Sequence, residues 1–269
     1  MSDVVLGPRI VPGLPGGGRL AWRLVRRNLV TGRRQWLLII SGLFEPVFYL
    51  LGLGIGVGAL VGDLAYDGRS IPYREFVAPA LLAAAAMNGA VYESTINIFA
   101  KLKWGRVYEG VLATPLGVRD VALGELIYAL MRGALYAIAF AVVMVLLGLV
   151  DSAWAILTIP AALLIGAAFA SVGLVVVTFM RSWADFAVIE LATLPMFLFS
   201  ATFVPLSEYP EGLQWLLPLT PLYHGVELLR ALTLGTVEAD ALLHVAYLVA
   251  MIVAGLAVAD RRLARLLLK

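Results

Sequence analysis

The sequence predicts an all-α, polytopic membrane protein with six transmembrane helices, for reasons of composition and run length. Of its 269 residues, 62% are hydrophobic and 14% are charged, whereas soluble domains carry about 25% charged residues. The apolar residues gather into six long runs, each sufficient to cross a hydrocarbon core of ~30 Å. These runs lack the alternating polarity of a membrane β-barrel, so helices are the predicted form.

Two segments precede the first span. Residues 1–18 are rich in glycine and proline, which predicts a mobile cytoplasmic tail. Residues 19–35 predict an amphipathic helix, with Trp22, Val25 and Leu29 on one face and arginines on another. A basic amphipathic helix beside a span lies in the membrane interface; an ordinary positive flank is the alternative. The first apolar run has no cleavage motif at its end, so we expect a retained span and not a signal peptide.

The transmembrane domain is predicted over residues 36–260, followed by a basic cytoplasmic tail at 261–269. Its six spans are predicted at residues 36–61, 76–100, 121–150, 155–180, 186–204 and 241–259. Sixteen of the twenty lysines and arginines fall in the two terminal segments and in the loops after the second and fourth spans. Positive residues concentrate on the cytoplasmic side. Both termini are therefore predicted to be cytoplasmic.

The external segment before the last span, residues 205–235, has an unusual composition. Pro210, Pro218 and Pro221 break it too often for a span, yet it is too apolar for a solvated loop. Short helices half-inserted into the outer leaflet satisfy both facts, provided that protein covers their backbone. His224 is expected to cap one of these helices.

The cytoplasmic stretch "AKLKWGRVYEGVLATPLGVRD", residues 100–120, interrupts two apolar runs. Val107, Val111 and Leu112 can share one helical face, with Tyr108 at its edge. Pro115 disfavours helix at the residue before it, so the helix should end there. The sequence predicts a short helix with an apolar ridge. The ridge either docks on a separate cytoplasmic protein or rests on the lipid surface.

Three charged residues, Glu45, Glu93 and Arg132, fall inside predicted spans. A lone charge in the bilayer is costly and is usually paired or functional. We predict a pair between Glu93 and Arg132 that Glu45 can join, with Glu125 as a weaker partner of Arg132. An ion pair that fixes helix register and a polar patch that touches substrate or the gate both remain open.

The run "LGLGIGVG" in the first span spaces its glycines four residues apart, which lets helices approach closely. The alternative is that the helix merely tolerates glycine. No strand precedes the run, so it does not match a dinucleotide-binding fingerprint. The glycines concerned are Gly52, Gly54, Gly56 and Gly58.

Several chemistries have no support in this sequence. It contains no cysteine, and His224 and His244 do not stand in a metal-binding motif, so we expect no disulfide, metal site or catalytic residue. A P-loop needs a lysine after its second glycine, and none of Lys101, Lys103 and Lys269 has that context. We therefore expect no cofactor on this chain, and no role in binding nucleic acid.

Three blocks resemble a known family: "FVAPALLAAAAMNGAVYESTINIF", "VYEGVLATPLGVRDVALGELIYALMRGALY" and "PLTPLYHGVELLRAL". They are similar to the permease subunit of type-2 ABC exporters, in the branch that includes nodulation lipo-oligosaccharide exporters and daunorubicin-type drug exporters. The similarity runs in order from the first span to the sixth and covers nearly the whole chain. A generic polytopic protein would not carry both "YEGVLATPL" and "PLTPLYHGVELLR".

The resemblance implies a permease of the bacterial plasma membrane that exports an amphipathic drug, glycolipid or lipid-linked saccharide. It implies two ABC-type ATPase subunits that bind ATP and magnesium, and a second, identical or different, permease paired across the first and fifth spans, where the glycines could pack. The amphipathic N-terminal helix would be the family's connecting helix. The short cytoplasmic helix would be its coupling helix, which docks on the ATPase through Tyr108, Glu109, Val111, Leu112, Thr114 and Pro115. An ATP-independent transporter or a membrane scaffold is the alternative.

Overall fold

The computed structural model describes residues 18–32, 44, 47–105 and 107–267. Almost all regular structure in these residues is helical, which confirms the predicted all-α class. The predicted tail before residue 18, the first part of the first span and Glu45 lie outside the described residues.

The described elements follow one another in the predicted order. The helices and strands are α1 (Ala21–Gly32), α2 (Val47–Val61), β1 (Asp63–Tyr66), β2 (Arg69–Pro72), α3 (Tyr73–Lys103), α4 (Val107–Leu112), α5 (Val118–Leu146), α6 (Thr158–Val177), α7 (Phe186–Leu198), α8 (Glu211–Gln214), α9 (Pro221–Leu234) and α10 (Asp240–Leu267). Short 3₁₀ turns lie at Ala153–Leu157, Trp183–Asp185, Leu206–Glu208 and Leu217–Leu219.

Four helical stretches are long and apolar enough to cross a membrane: Tyr73–Lys103, Val118–Leu146, Ala153–Val177 and Asp240–Leu266. They correspond to the predicted second, third, fourth and sixth spans. The described part of the predicted first span is the shorter apolar helix α2. Helix α7 covers the predicted fifth span over 13 residues, or about 20 Å at 1.5 Å per residue.

A two-stranded antiparallel hairpin joins α2 to α3, where the sequence analysis predicted no regular structure. Strand β1 pairs with β2 in the register Asp63↔Pro72 to Tyr66↔Arg69. The two turn residues, Asp67 and Gly68, have φ angles of 52° and 69°. Positive φ at both positions is typical of a type I′ turn, for which Asp-Gly is a preferred sequence.

The packed core forms around α6, which contacts α3, α5, α9 and α10. Small residues allow this close packing. A side chain at Gly173 would collide with Ser94 of α3, and one at Gly255 of α10 would collide with Ser171 of α6. Close approach through small residues is typical of helices that pack in membranes.

Residues 205–235 form a series of short helices, as predicted. Two 3₁₀ turns and α8 precede α9, whose side chains Leu222, Val226 and Leu229 are fully buried. Trp215, in contrast, is 83% exposed. The segment therefore has one part that packs inside the bundle and another that presents apolar groups outward.

Two predicted boundaries differ from the structure. Helix α10 continues to Leu267, so the predicted tail is helical up to that residue. Helix α3 likewise extends past residue 100, and a π-helical segment covers Ala100–Trp104. Arginine and lysine are good helix formers, so a helix can continue after its apolar run has ended.

Candidate functional site

The apolar ridge of helix α4 packs against the core of its own chain. Tyr108, Val111 and Leu112 are 1%, 8% and 6% exposed and belong to the core cluster. The core of the chain itself therefore covers this ridge, which the sequence analysis did not predict, and Tyr108 is buried with the ridge and does not lie at its edge. The surface side of the segment carries Glu109, Gly110, Ala113, Thr114 and Pro115.

The carboxylate of Glu125 on α5 joins three other helices. It accepts a hydrogen bond on Oε1 from the Tyr108 hydroxyl of α4 at 3.1 Å. Its Oε2 accepts one from the Asn28 amide of α1 at 3.0 Å and an ion-paired one from the Lys101 ammonium of α3 at 2.6 Å. The Glu125 side chain is only 3% exposed. We call Glu125, Asn28, Lys101 and Tyr108 the Glu125 cluster.

Close packing of α1 on α5 holds the cluster together. A Cβ atom at Gly124 would lie 2.9 Å from Leu24, so only glycine lets the helices approach to this distance. Asp120 accepts hydrogen bonds from the backbone N–H of Leu20 at 3.0 Å and of Gly117 at 2.9 Å. The Asp120 carboxylate thus holds the chain before α1 to the amino-terminal end of α5, where a negative charge is favourable.

The hydroxyl of Tyr108 acts as a donor in this cluster. Burial raises the pKa of Tyr108 well above its usual value, and the neighbouring Glu125 carboxylate raises it further. Both effects disfavour the phenolate form. Tyr108 therefore remains protonated and can donate to Glu125 across the physiological pH range.

The predicted pairing of Glu93 with Arg132 is confirmed. The two side chains form an ion pair between α3 and α5 and are 5% and 14% exposed. Asn97 donates to Glu93 at 2.7 Å, and Arg132 donates to the Tyr136 hydroxyl at 3.1 Å. Glu125 does not need Arg132 as a partner, because Lys101 fills that position.

A π-helical segment, Glu93–Asn97, begins at the paired glutamate. Ser94 and Thr95 donate their hydroxyls to the carbonyls of Ala90 and Val91, one turn earlier. Such bonds compete with the regular helical ladder. Single-turn π segments are frequent at functional sites, so the irregular backbone marks the same position as the buried charges.

The four glycines of α2 divide into two pairs. The Cα positions of Gly54 and Gly58 face Arg74 and Tyr73, at the start of α3, within 3.4 to 3.7 Å of an added Cβ. At Gly52 and Gly56 an added Cβ would meet open space. The first pair thus packs within the chain, and only the second pair remains available to a partner.

At the opposite end of the bundle, Arg230 of α9 is completely buried. It pairs with Glu227 at 2.5 Å and donates to the carbonyls of Ala201 at 2.8 Å and Phe76 at 3.3 Å. Its guanidinium carbon lies 3.8 Å from the centre of the Phe76 ring. No local pattern in the sequence indicates the burial of Arg230.

The two histidines meet, although they stand 20 residues apart in the chain. Their Nδ1 atoms are 2.8 Å apart, and the His224 ring stacks on Tyr247 at 4.0 Å. His224 thus contacts α10 as well as its own helix. Within the part of the chain that the structure describes, no group of three potential ligands could hold a metal ion.

A bundle with membrane-length apolar helices, buried charges and a short helix anchored in its core fits a membrane transport permease. The chain belongs to the ABC-2 type transporter family, whose profile matches residues 19–234. It is a transporter component and a multi-pass protein of the bacterial inner membrane. It is 33% identical to Nodulation protein J of Rhizobium leguminosarum bv. viciae over 96% of this chain and 99% of that protein. It is 34% identical to Nodulation protein J of Bradyrhizobium diazoefficiens, over 91% and 94% of the two chains.

Proposed function

We propose that this chain is the permease subunit of an ATP-driven exporter whose ATP hydrolysis takes place on a separate ABC-type ATPase. Two ATPase subunits, with bound ATP and magnesium, would serve two permease subunits. The observation that carries the proposal is helix α4. Its buried side anchors in the core through Tyr108, Val111 and Leu112, and its outer side is accessible. A helix that is anchored on one side and accessible on the other can transmit the movement of a bound partner to the bundle.

The division of roles along α4 follows from its burial. Glu109, Thr114 and Pro115 lie on the surface side and would contact the ATPase. Tyr108, Val111 and Leu112 would transmit the motion inward. Leu112→Asp is therefore a poor test of docking, because it would bury an unpaired charge within the chain.

We propose six spans with both termini cytoplasmic. Contacts at the two ends of the bundle support this topology. Arg119 pairs with Asp260 at 2.9 Å, and Arg262 lies over the Phe179 ring, so the regions around residues 119, 179 and 260 share one end. Tyr66 donates to Glu227 at the opposite end. The strongly basic segments gather at the first end, and the positive-inside rule makes that end cytoplasmic.

The second permease subunit would pack against α2 and α7. Most of α7 is exposed in a single chain, including Val188, Leu191 and Leu194 at 59% or more. Tyr49 of α2 contacts Phe197 of α7 at a ring distance of 6.5 Å, so the two helices form one continuous surface. Gly52 and Gly56 add an open, small-residue strip to it.

The substrate would be amphipathic: a drug, a glycolipid or a lipid-linked saccharide moved out of the cytoplasm or the inner leaflet. The Glu93–Arg132 pair offers polar contacts inside an otherwise apolar bundle. Its position on a π-helical segment supports a role at the substrate path or gate as well as in helix register. The Nodulation protein J relatives align with 78% to 96% of this chain. The resemblance to nodulation lipo-oligosaccharide exporters therefore supports an amphipathic substrate.

The test uses two exposed glycines on short helices, Gly110 of α4 and Gly212 of α8, where an added side chain would meet open space. The chain is co-expressed with candidate ABC-type ATPases of its own genome, and ATP hydrolysis is measured on the purified complex. Gly110→Trp should lower partner affinity by about tenfold, as ~1.4 kcal/mol of lost contact predicts. Gly212→Trp, the matched control at the other end, should leave it unchanged.

Two outcomes would contradict the proposal. If no ABC-type ATPase co-purifies with the wild-type chain and transport proceeds without ATP, the chain is an ATP-independent transporter or a scaffold. If Gly110→Trp and Gly212→Trp both leave stimulated hydrolysis unchanged, α4 is not the docking helix.

A further inference from the structure

The Glu125 cluster connects the two helices that lie at the cytoplasmic end of the bundle. Asn28 belongs to α1 and Tyr108 to α4, and both donate to the same carboxylate. The buried face of α1 carries Asn28, whereas Arg23, Arg26 and Arg27 on the same helix are exposed. A single buried side chain on α5 thus bridges two peripheral helices that are far apart in the sequence.

We propose that Glu125 is a positioning residue that makes α1 and α4 move as one unit when a partner acts on α4. This inference rests on the proposed function, because it concerns how a movement of the ATPase bound to α4 is transmitted to the rest of the chain. The bridge runs from α4 through the Tyr108 hydroxyl to Glu125, and from Glu125 through the Asn28 amide to α1.

The chemistry of the carboxylate suits this role. Glu125 uses both oxygens, Oε1 toward α4 and Oε2 toward α1 and α3. An ionised carboxylate only accepts hydrogen bonds, and all three partners are donors. Hydrogen bonds to a charged acceptor are roughly twice as strong as neutral ones. The Lys101 ammonium lies 2.6 Å from the buried carboxylate and balances its charge.

A merely stabilising cluster would behave differently from a bridge. If each hydrogen bond contributed independently, the effects of removing Tyr108 and Asn28 contacts would add. In a bridge the two contacts act in series, so loss of either one breaks the hydrogen-bonded link between α1 and α4. Removing both then adds nothing to the effect of removing one.

The first experiment measures the distance between α1 and α4 on the full chain alone, in lipid nanodiscs. The natural sequence has no cysteine, so Arg26→Cys and Gly110→Cys carry the only two spin labels. Double electron–electron resonance should give one narrow distribution of the distance between the two labels. Tyr108→Phe, which removes only a hydroxyl, should broaden it, and Asn28→Leu should broaden it equally. The double variant should match either single variant.

The control is Tyr247→Phe, which also removes one phenolic hydrogen bond, to the carbonyl of Leu219 at the other end of the bundle. Its distance distribution should equal that of the parent. The proposal is overturned if Tyr108→Phe and Asn28→Leu leave the distribution narrow, or if their effects add in the double variant.

The second experiment uses the complex with the ATPase. Asn28→Leu lies on α1, away from the accessible side of α4, and should lower partner-stimulated ATP hydrolysis by about tenfold, or ~1.4 kcal/mol in the barrier. Unchanged stimulation in Asn28→Leu would overturn the coupling role of the bridge. If the wild-type chain is not stimulated by any ATPase, the proposed function fails, while the nanodisc distances still decide whether Glu125 ties α1 to α4.

Discussion

Each end of the bundle buries a charged side chain that joins several segments, Glu125 at one end and Arg230 at the other, but the two are held in different ways. At the end that carries α1 and α4, Glu125 is contacted by side chains from three other helices. At the opposite end, Arg230 donates to two backbone carbonyls, those of Ala201 and Phe76, besides its pair with Glu227. Side chains can rotate away from a partner, whereas a backbone carbonyl moves only with its segment.

We call the end around Glu125 the joint, because its contacts are side chains that can rotate. We call the end around Arg230 the clamp, because its contacts include backbone carbonyls. Ala201 has a φ angle of 54° and is completely buried, and a left-handed conformation is costly for a residue other than glycine. Its carbonyl is the one that accepts from Arg230 at 2.8 Å. The arginine thus holds a strained backbone in place, which fits a fixed end of the bundle. Lys101 at the other end is 16% exposed and can reach water.

The largest expected effect is at the clamp. Arg230→Met should lower the free energy of unfolding by about 3–5 kcal/mol, because it leaves Glu227 without its buried partner. Thermal unfolding in detergent measures the loss. Arg230→Lys keeps the charge but not the planar fork, so its loss should be intermediate. A melting temperature of Arg230→Met equal to that of the parent would mean that Arg230 does not hold this end of the bundle.

How much of this comparison the sequence could predict depends on the range of each signal. Long apolar runs predicted the helices, because the length of such a run can be seen in consecutive residues of the sequence. The pair of Glu93 with Arg132 was also predictable, since few charges lie within spans. The I′ hairpin was missed, although Asp67-Gly68 is a recognisable signal for it.

The two buried charge clusters were out of reach for sequence reasoning. Glu125 and Lys101 are 24 residues apart, and Asn28 lies 97 residues from Glu125. Arg230 meets Phe76 across 154 residues. Only tertiary packing brings such residues together, so no periodicity could indicate them. The same reason explains the ridge of α4: a helical face shows which residues are buried together, but not what covers them.

The Glu93–Arg132 pair lies between the two ends and tests whether the middle of the bundle behaves as a clamp or a joint. Arg132→Ala should destabilise more than Arg132→Ala combined with Glu93→Ala, because the single variant leaves a buried charge unpaired. The double-mutant cycle in detergent should give a coupling of about 1 kcal/mol or more. Water entry reduces the cost of each single variant.

Zero coupling in that cycle would mean that the two charges depend on other partners, and Glu45 would be the first to test against Arg132. A stable double variant that no longer transports would assign the pair a function beyond helix register. Asn97→Ala is the matched control, since it removes a neutral donor to Glu93 and leaves both charges in place.

The smallest expected effect is at the surface of the end that carries α1 and α4. Arg119 and Asp260 pair at 2.9 Å, but their side chains are 61% and 31% exposed. Exposed pairs contribute about 0.2–1 kcal/mol, since water screens them and ordering two side chains costs entropy. Arg119→Gln should therefore change the melting temperature little, and added salt should reduce even that change. If Arg119→Gln instead destabilised the chain as much as Arg230→Met, the two ends would be held equally by charge, and the distinction between a joint and a clamp would fail.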